Sequence, residues 1–298
     1  MPIISRQYET DVDLRRMQAL QQELWALESE RTQAHVGDLA WGATQHVGRE
    51  REWNRRLWFD GDRCVAWAWL KRPASFDYEV HRDHRGGPLH KEVLDWFESE
   101  AEGDEPLRAF VLEGDATSRE LFERRGFVEP DNPERYAYHA RNLSDFVANS
   151  HEASVLDDGF VLRTVRGDED LHERVEVHRA VWAPSRVTEE SYRNVMRTWP
   201  YRADLDCVLE ARDGTFAAYV LCWYDDVNRV GEFEPVGTHP DYRRRGFGAA
   251  VCRYALQRLK DAGGTKAIVL SATEPAAALY ESLGLRQHTH VTELRKER

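Results

Sequence analysis

The sequence predicts an α/β protein of the α+β kind, built as two tandem copies of one domain, each a central sheet flanked by helices. Three observations carry that expectation. The chain has 298 residues, 41% hydrophobic and 32% charged, a globular composition with room for two ordinary domains. One pattern recurs at a nearly fixed offset. Arg6 and Asp13-Leu14 of "SRQYETDVDL" return as Arg163 and Asp170-Leu171 of "LRTVRGDEDL", 157 residues on. "HRDHR" (81–85) returns as "HPDYR" (239–243), and "LFERRGF" (121–127) as "LYESLGL" (279–285), both 158 residues on. Chance matches do not hold one offset over such a distance. Finally, the hydrophobic period switches between two and 3.6 in the same order in both halves.

In the second copy "GFVLRTV" reads as a strand, followed by a helix from Asp168 to Trp182 with Asp168 as N-cap. A second helix runs through "TEESYRNVMRTW". "DCVLEAR", "FAAYVLCWYD" and "VGEFEPVGT" are three strands, the first two joined at the turn Asp213-Gly214. The helix from Gly246 to Ala262 places Val251, Ala255, Leu256 and Leu259 on one face. "AIVLSA" is a short buried strand, "EPAAALYESLG" a helix closed by Gly284, and the tail a last strand or pair. The first half reads alike: a long helix from Val12 to Glu30, the hairpin "RRLWFDGDRCVAWAWL", and a central helix carrying Leu89, Val93, Leu94 and Phe97. Periodicity fades over 143–157, which places the domains at 1–147 and 155–298.

Composition excludes several function classes. No apolar run approaches the ~20 residues that span a bilayer, and the N-terminal "MPIISRQYETDVDLRRM" lacks the basic start and apolar middle of a signal peptide, so a cytoplasmic location without membrane attachment is expected. Cys64, Cys207, Cys222 and Cys252 are widely spaced and form no CxxC; they read as buried thiols. The histidines form no metal signature, "HTH" at 288–290 reading as exposed strand, and no metal is expected. A net charge of −12 argues against nucleic acid; it suits a cationic substrate such as an amine and equally serves solubility. Trp67 and Trp69 share one strand face and read as core or domain-interface residues.

The most informative stretch is "GTHPDYRRRGFGAAVCRYALQRL", residues 237–259. A strand that ends at "THPDY" and yields a helix at Gly246 leaves backbone N–H groups unpaired at the helix start, where they form an anion site with the helix dipole. Gly246 and Gly248 let the backbone approach a pyrophosphate closely, and Arg243, Arg244 and Arg245 add charge. Neither a Walker loop nor GxGxxG is present. In this setting Arg243-Arg244-Arg245-Gly246-Phe247-Gly248 resembles the [QR]xxGx[GA] motif with which the GNAT acyltransferase superfamily grips acetyl-CoA. The likeness covers the second half and, more faintly, the first.

That resemblance implies two tandem GNAT-like domains, each with a mixed, mostly antiparallel sheet. It also implies an acetyl-CoA-dependent N-acetyltransferase acting on a small-molecule or peptide amine, with a homodimer left open. A non-catalytic acyl-CoA sensor is the alternative. The cofactor site implied is Val236, Gly237 and Thr238, whose strand meets the pantetheine arm and whose N–H groups hold the oxyanion, then Arg243 to Gly248 and Ala249. Pro235 cannot donate to the ladder, which fits a bulge that splays the strand from its neighbour. Glu232 and Glu234 share a strand face and are both candidate bases; which of them acts, or whether either merely faces solvent, stays open. Tyr280 matches the tyrosine that this family aims at the departing sulfur, and a plain core aromatic is the alternative.

In the first copy Arg85 keeps the place of Arg243, but Gly246 falls on Pro88, Gly248 on His90 and Tyr280 on Phe122. Proline offers no N–H and phenylalanine no proton, so the first copy reads as a degenerate domain. Tyr280→Phe is expected to lower turnover by about 100-fold, the scale of one acid–base group, while Phe122→Tyr leaves it unchanged. Steady-state thiol release from the two variants checks this.

Overall fold

The computed structural model describes residues 2–29, 33–48, 52–147 and 159–298. The expected helix end at Glu30, residues 148–157 of the expected joint and the domain start at 155 lie outside them. The chain forms two compact units: Met1–His35, Gly48–Ala137 and Thr289–Arg298 in one, Val36–Val47 and Tyr138–His288 in the other. Three segments therefore lie across the linear division at 147 and 155.

The first unit holds β1 (Ile4–Gln7), α1 (Asp11–Glu28), β2 (Trp53–Asp60), β3 (Arg63–Lys71), β4 (Ser75–Val80), α3 (Pro88–Glu100), β5 (Leu107–Leu112) and α4 (Ala116–Glu123), while α2 (Val36–Thr44) belongs to the second. Its sheet order is β1-β2-β3-β4-β5, closed by β12 (Arg286–Lys296). All of its pairs are antiparallel except β4 with β5. Trp67 and Trp69 are buried side by side on β3, as the alternation predicts.

The second unit begins with α2 and β6 (Arg135–Asn142) and continues β7 (Phe160–Thr164), α5 (Leu171–Val181), α6 (Glu189–Arg197), β8 (Asp206–Ala211), β9 (Phe216–Asp225), β10 (Val230–Thr238), α7 (Phe247–Asp261), β11 (Lys266–Ser271) and α8 (Glu274–Ser282). Its strands are ordered β6-β11-β10-β9-β8-β7. β10 and β11 are parallel, and the pairs from β10 to β7 are antiparallel. The last strand of each repeat thus completes the sheet of the other unit, which is why the units do not follow the linear halves. α7 and α8 cover one face, burying Val251, Ala255, Leu256 and Leu259 against Val220, Cys222 and Phe233. α2, α5 and α6 cover the other through Trp41, Val175 and Tyr192 against Leu221 and Trp223. All four cysteines are buried and free.

Asp168 is not the helix cap that the pattern suggests. Residues Gly167–Asp170 form a 3-10 turn, and Asp170 precedes α5. Its carboxylate accepts from Arg163 (2.5 and 2.9 Å), Arg166 Nη2 (2.9 Å) and the Arg166 backbone N–H (2.7 Å). The repeat-related Asp13 does the same with Arg6 (2.8 Å), Arg16 (2.8 Å) and the Glu9 N–H (2.9 Å). The Arg and Asp positions that reveal the repeat in sequence therefore form one clamp from strand to helix, built twice. Burial alone would raise the Asp170 pKa, but these donors outweigh it and hold the carboxyl down to about 2. A depressed carboxylate stabilises the fold above its ordinary value of 3.8, and that contribution disappears as pH falls through about 2. Asp170→Asn is expected to cost roughly 1.5–3 kcal/mol near neutral pH, the scale for charge-assisted hydrogen bonds. The cost should shrink below pH 3.8, as denaturant titrations at several pH values would show.

Candidate active site

β10 and β11 hydrogen-bond only from Val230 to Phe233, opposite Lys266 to Val269, although β10 runs to Thr238 and β11 to Ser271. Beyond Phe233 they part. β10 stays paired with β9 on its other edge, where Val236, Gly237 and Thr238 oppose Val220, Tyr219 and Ala218 after a register shift between Phe233 and Val236. Pro235 lies inside that shift, the irregularity expected of a residue without an N–H. The edge of β10 from Glu234 onward is left open for a ligand's amides, in the manner of an added strand.

This edge runs into the arginine-glycine loop. Residues Pro240–Tyr242 form a 3-10 turn, Arg244 and Gly246 take left-handed conformations (φ 59° and 79°), and α7 begins at Phe247. The Ala250 N–H reaches the Gly246 carbonyl at 3.0 Å; those of Phe247, Gly248 and Ala249, ahead of it, have no carbonyl within the helix to bond. The two glycines serve different needs. A side chain at Gly246 would meet nothing within 4 Å, so there the backbone angle selects glycine. At Gly248 a Cβ would lie 2.9 Å from Thr238 Oγ1, so there it is space. The arginines also differ. Arg243 Nε reaches the Thr238 carbonyl at 3.4 Å, whereas the Arg245 guanidinium lies over Phe247 (4.6 Å) and Phe160 (5.0 Å). Val236 and Ala249 pack on the α7–α8 cluster. An anionic pyrophosphate fits this cradle of free N–H groups and cationic side chains.

The equivalent loop of the first unit is closed. Pro88 opens α3 and supplies no N–H. The His90 ring sits where Gly248 leaves space, taking the Gly86 N–H on Nδ1 at 3.2 Å and contacting the Tyr78 hydroxyl at 3.2 Å. Arg85 is engaged by Glu28 (2.9 Å) and Glu79 (3.1 Å). Phe122 is core.

Glu232 and Glu234 sit at the fork, on the face covered by α2. Glu232 is 3% exposed and hydrogen-bonded to the side chain and backbone of Asp38. Burial, then the charge of Glu234, pushes it up to about 8. Glu234 is half-buried, and burial, then the charge of Asp38, pushes it up to about 8. Its main-chain carbonyl accepts from Trp223 Nε1 at 2.6 Å, while its carboxylate has no hydrogen-bond partner among the described residues. Tyr280, on α8, is buried against the His139 ring (5.9 Å between centroids), and its hydroxyl likewise has no partner among the described residues. Burial, then the charges of Cys252 and Glu234, raises its pKa. Two proton carriers with unclaimed heads thus lie within electrostatic reach of each other at the fork. No group of residues able to hold a metal occurs among the described residues.

Asp38 and Trp41, which α2 brings to this face, are the residues that sequence reasoning missed. "VGDLAWGAT" carries no local mark of the unit it packs into. Its seat is made by Gly37, where a Cβ would overlap Trp223 at 2.4 Å.

A sheet forked beside a glycine-opened helix start is the fold of the GNAT proteins. A GCN5-related N-acetyltransferase from Sphaerobacter thermophilus matches 100% of this chain and 96% of its own at a TM-score of 0.66 and 17% identity. A tandem GNAT protein from the clavulanic acid biosynthesis pathway matches over 99% and 98% at 0.67 and 13%. Residues 171–285 fit the model of the Acetyltransferase (GNAT) family. A mycothiol acetyltransferase of Corynebacterium aurimucosum is 31% identical over 105 residues, which is 32% of this chain and 34% of that protein.

The cradle makes a direct prediction. Gly248→Ala, whose Cβ must displace Thr238 Oγ1, should weaken coenzyme A binding about tenfold, or about 1.4 kcal/mol, in isothermal titration.

Proposed function

We propose that the chain is an acetyl-CoA-dependent N-acetyltransferase, moving the acetyl group directly to a primary amine of a small-molecule or peptide acceptor, with the second repeat (155–298) catalytic and the first (1–147) degenerate. The observation that carries this is the unclaimed Glu234 carboxylate at the open edge of β10, within electrostatic reach of the unclaimed Tyr280 hydroxyl. Acetyl-CoA, when bound, supplies the reactive thioester. The N–H groups of Phe247, Gly248 and Ala249, with Arg243 and Arg244, hold its pyrophosphate. The edge from Val236 to Thr238 aligns the pantetheine arm and offers N–H groups to the carbonyl oxygen.

Glu234 removes a proton from the acceptor's ammonium, so that the nitrogen lone pair is free to form the new C–N bond. Tyr280 delivers a proton to the sulfur as the C–S bond breaks, and its phenolate then takes the second proton that the new C–N bond leaves on nitrogen. Glu232, sealed against Asp38, is the poorer base, and it is burial, then the charge of Asp38, that raises the basicity of Glu234. A carboxylate that titrates near 8 is close to the optimum for a base at neutral pH, while a phenol raised by burial stays protonated throughout.

Because the base works deprotonated and holds its proton up to about 8, kcat/KM for the amine should rise through that pH. The limb should keep its position when acceptors of different amine pKa are compared. Glu234→Gln should abolish the limb and lower kcat by about 100-fold. If no amine of a broad panel causes free thiol to appear, the protein is an acyl-CoA binder instead.

A further inference from the structure

Behind Gly237 lies a hydrogen-bonded relay that these proton transfers do not use. Tyr219 opposes Gly237 across the β9–β10 ladder, and a Cβ on Gly237 would lie 2.7 Å from the Tyr219 ring and 2.9 Å from Val181 at the end of α5. The Tyr219 hydroxyl is bonded to Trp182 Nε1 (2.8 Å) and His178 Nδ1 (3.0 Å). Arg174, fully buried and bonded to Asp206 at 2.9 Å, lies 3.9 Å over the Tyr219 ring and fixes it.

Donor chemistry alone sets the direction of the relay. An indole N–H only donates, so the Tyr219 oxygen accepts from Trp182. The single Tyr219 proton then goes to His178 Nδ1, since the reverse arrangement would strand that proton in a buried site. Burial, then the charge of Arg174, lowers the His178 pKa to about 3 and keeps the ring neutral. A neutral imidazole that accepts at Nδ1 carries its hydrogen on Nε2.

The ring is 4% exposed, and Nε2 has no partner among the described residues and is not among the sealed, partnerless atoms of the interior, so that atom keeps contact with solvent. Trp41 stands edge-on to it at 5.3 Å and Trp182 lies at 6.4 Å. Tyr219 and Gly237 share the sheet face that carries Glu232, opposite Trp223. One fixed, uncharged N–H donor between two indoles thus opens on the same face as the carboxylates.

We propose that His178 Nε2–H binds the acceptor substrate, and that this substrate is an amine whose skeleton also carries a carbonyl or hydroxyl oxygen. The inference rests on the acetyl-transfer reading and narrows its acceptor. An alkyl diamine has no lone-pair oxygen for this donor, and its second ammonium would face an N–H. His178 is thus a specificity residue, with Tyr219 and Trp182 its positioning residues.

The test uses the full chain, with an α-amino amide, an amino alcohol and an alkyl diamine of equal length as acceptors. Wild type should favour the oxygen-bearing amines, with the amide and the alcohol arms showing which oxygen fits. His178→Ala should raise KM for them about tenfold and leave kcat and the KM for acetyl-CoA within twofold; His178→Gln, which keeps an N–H, should restore most of the loss. Nitrogen-15 spectra should show the Nε2–H tautomer of His178, lost in Tyr219→Phe. An Nδ1–H tautomer, a wild-type preference for the diamine, or an equal fall in kcat and in acetyl-CoA affinity overturns the proposal. If none of the amines causes thiol to be released, acetyl transfer itself fails. Titration of the His178 signal then decides: a shift with the amide but not the diamine upholds the donor site, and no shift with either refutes it.

Discussion

Two parallel strands, β10 and β11, hydrogen-bond for four residues and then separate, and the chemistry of the second unit depends on that parting. Had the ladder continued, Glu234 would be an ordinary strand residue and Val236 to Thr238 would spend their backbone groups on β11. Leaving polar backbone unpaired in a half-buried slot costs the hydrogen bonds forgone. The fold confines that cost to one edge, since β10 keeps its pairing to β9 through the register shift around Pro235. Because the chain turns into α7 directly after the open stretch, the free strand edge and the free helix N–H groups form one continuous polar track. α8, which follows β11, carries Tyr280 back to the same fork.

The first unit shows what the same frame becomes when its polar groups are used internally. β4 and β5 pair in parallel at Ser75 and Phe76, as β10 and β11 do at their start. There the helix start is closed by Pro88 and by the His90 ring, which takes the Gly86 N–H. Arg85 is held by two carboxylates, and Phe122 packs at 5.0 Å on Phe127. Each substitution replaces a group that would face a ligand with one that satisfies a neighbour. The architecture survives because the core and the clamp between strand and helix, Arg6–Asp13 here and Arg163–Asp170 in the other unit, do not depend on the cradle.

Features written locally were legible in the sequence. The strand and helix order of both repeats, the bulge at Pro235 and the need for glycine at 246 and 248 follow from period, ring chemistry and backbone freedom within a few residues. Features decided by distant packing were not. Asp170 reads as an ordinary first-turn residue of the helix predicted from Asp168, until Arg163 and Arg166 close on it. The exchange of β6 and β12 between units is invisible because each strand keeps the same pattern whichever sheet it joins. α2 is short, and its seat on Trp223 depends on Gly37, 186 positions away in sequence. The proposed preference for Glu234 over Glu232 rests on Asp38, which α2 supplies.

That choice has an electrostatic logic. Beyond burial, Asp38 raises the pKa of Glu234, and Glu234 in turn raises that of Glu232; like charges in a half-buried slot do not all ionise together. Glu232 resolves part of the conflict by hydrogen bonding to Asp38, which leaves Glu234 as the group whose proton is free to come and go. An ammonium arriving there, as the proposed reaction requires, would relieve the same repulsion and would meet Glu234, the carboxylate that has no hydrogen-bond partner among the described residues. Binding and activation of the proposed amine would then draw on a single arrangement of charge. The first repeat, without a working cradle of its own, contributes to that arrangement through the one acidic residue of α2.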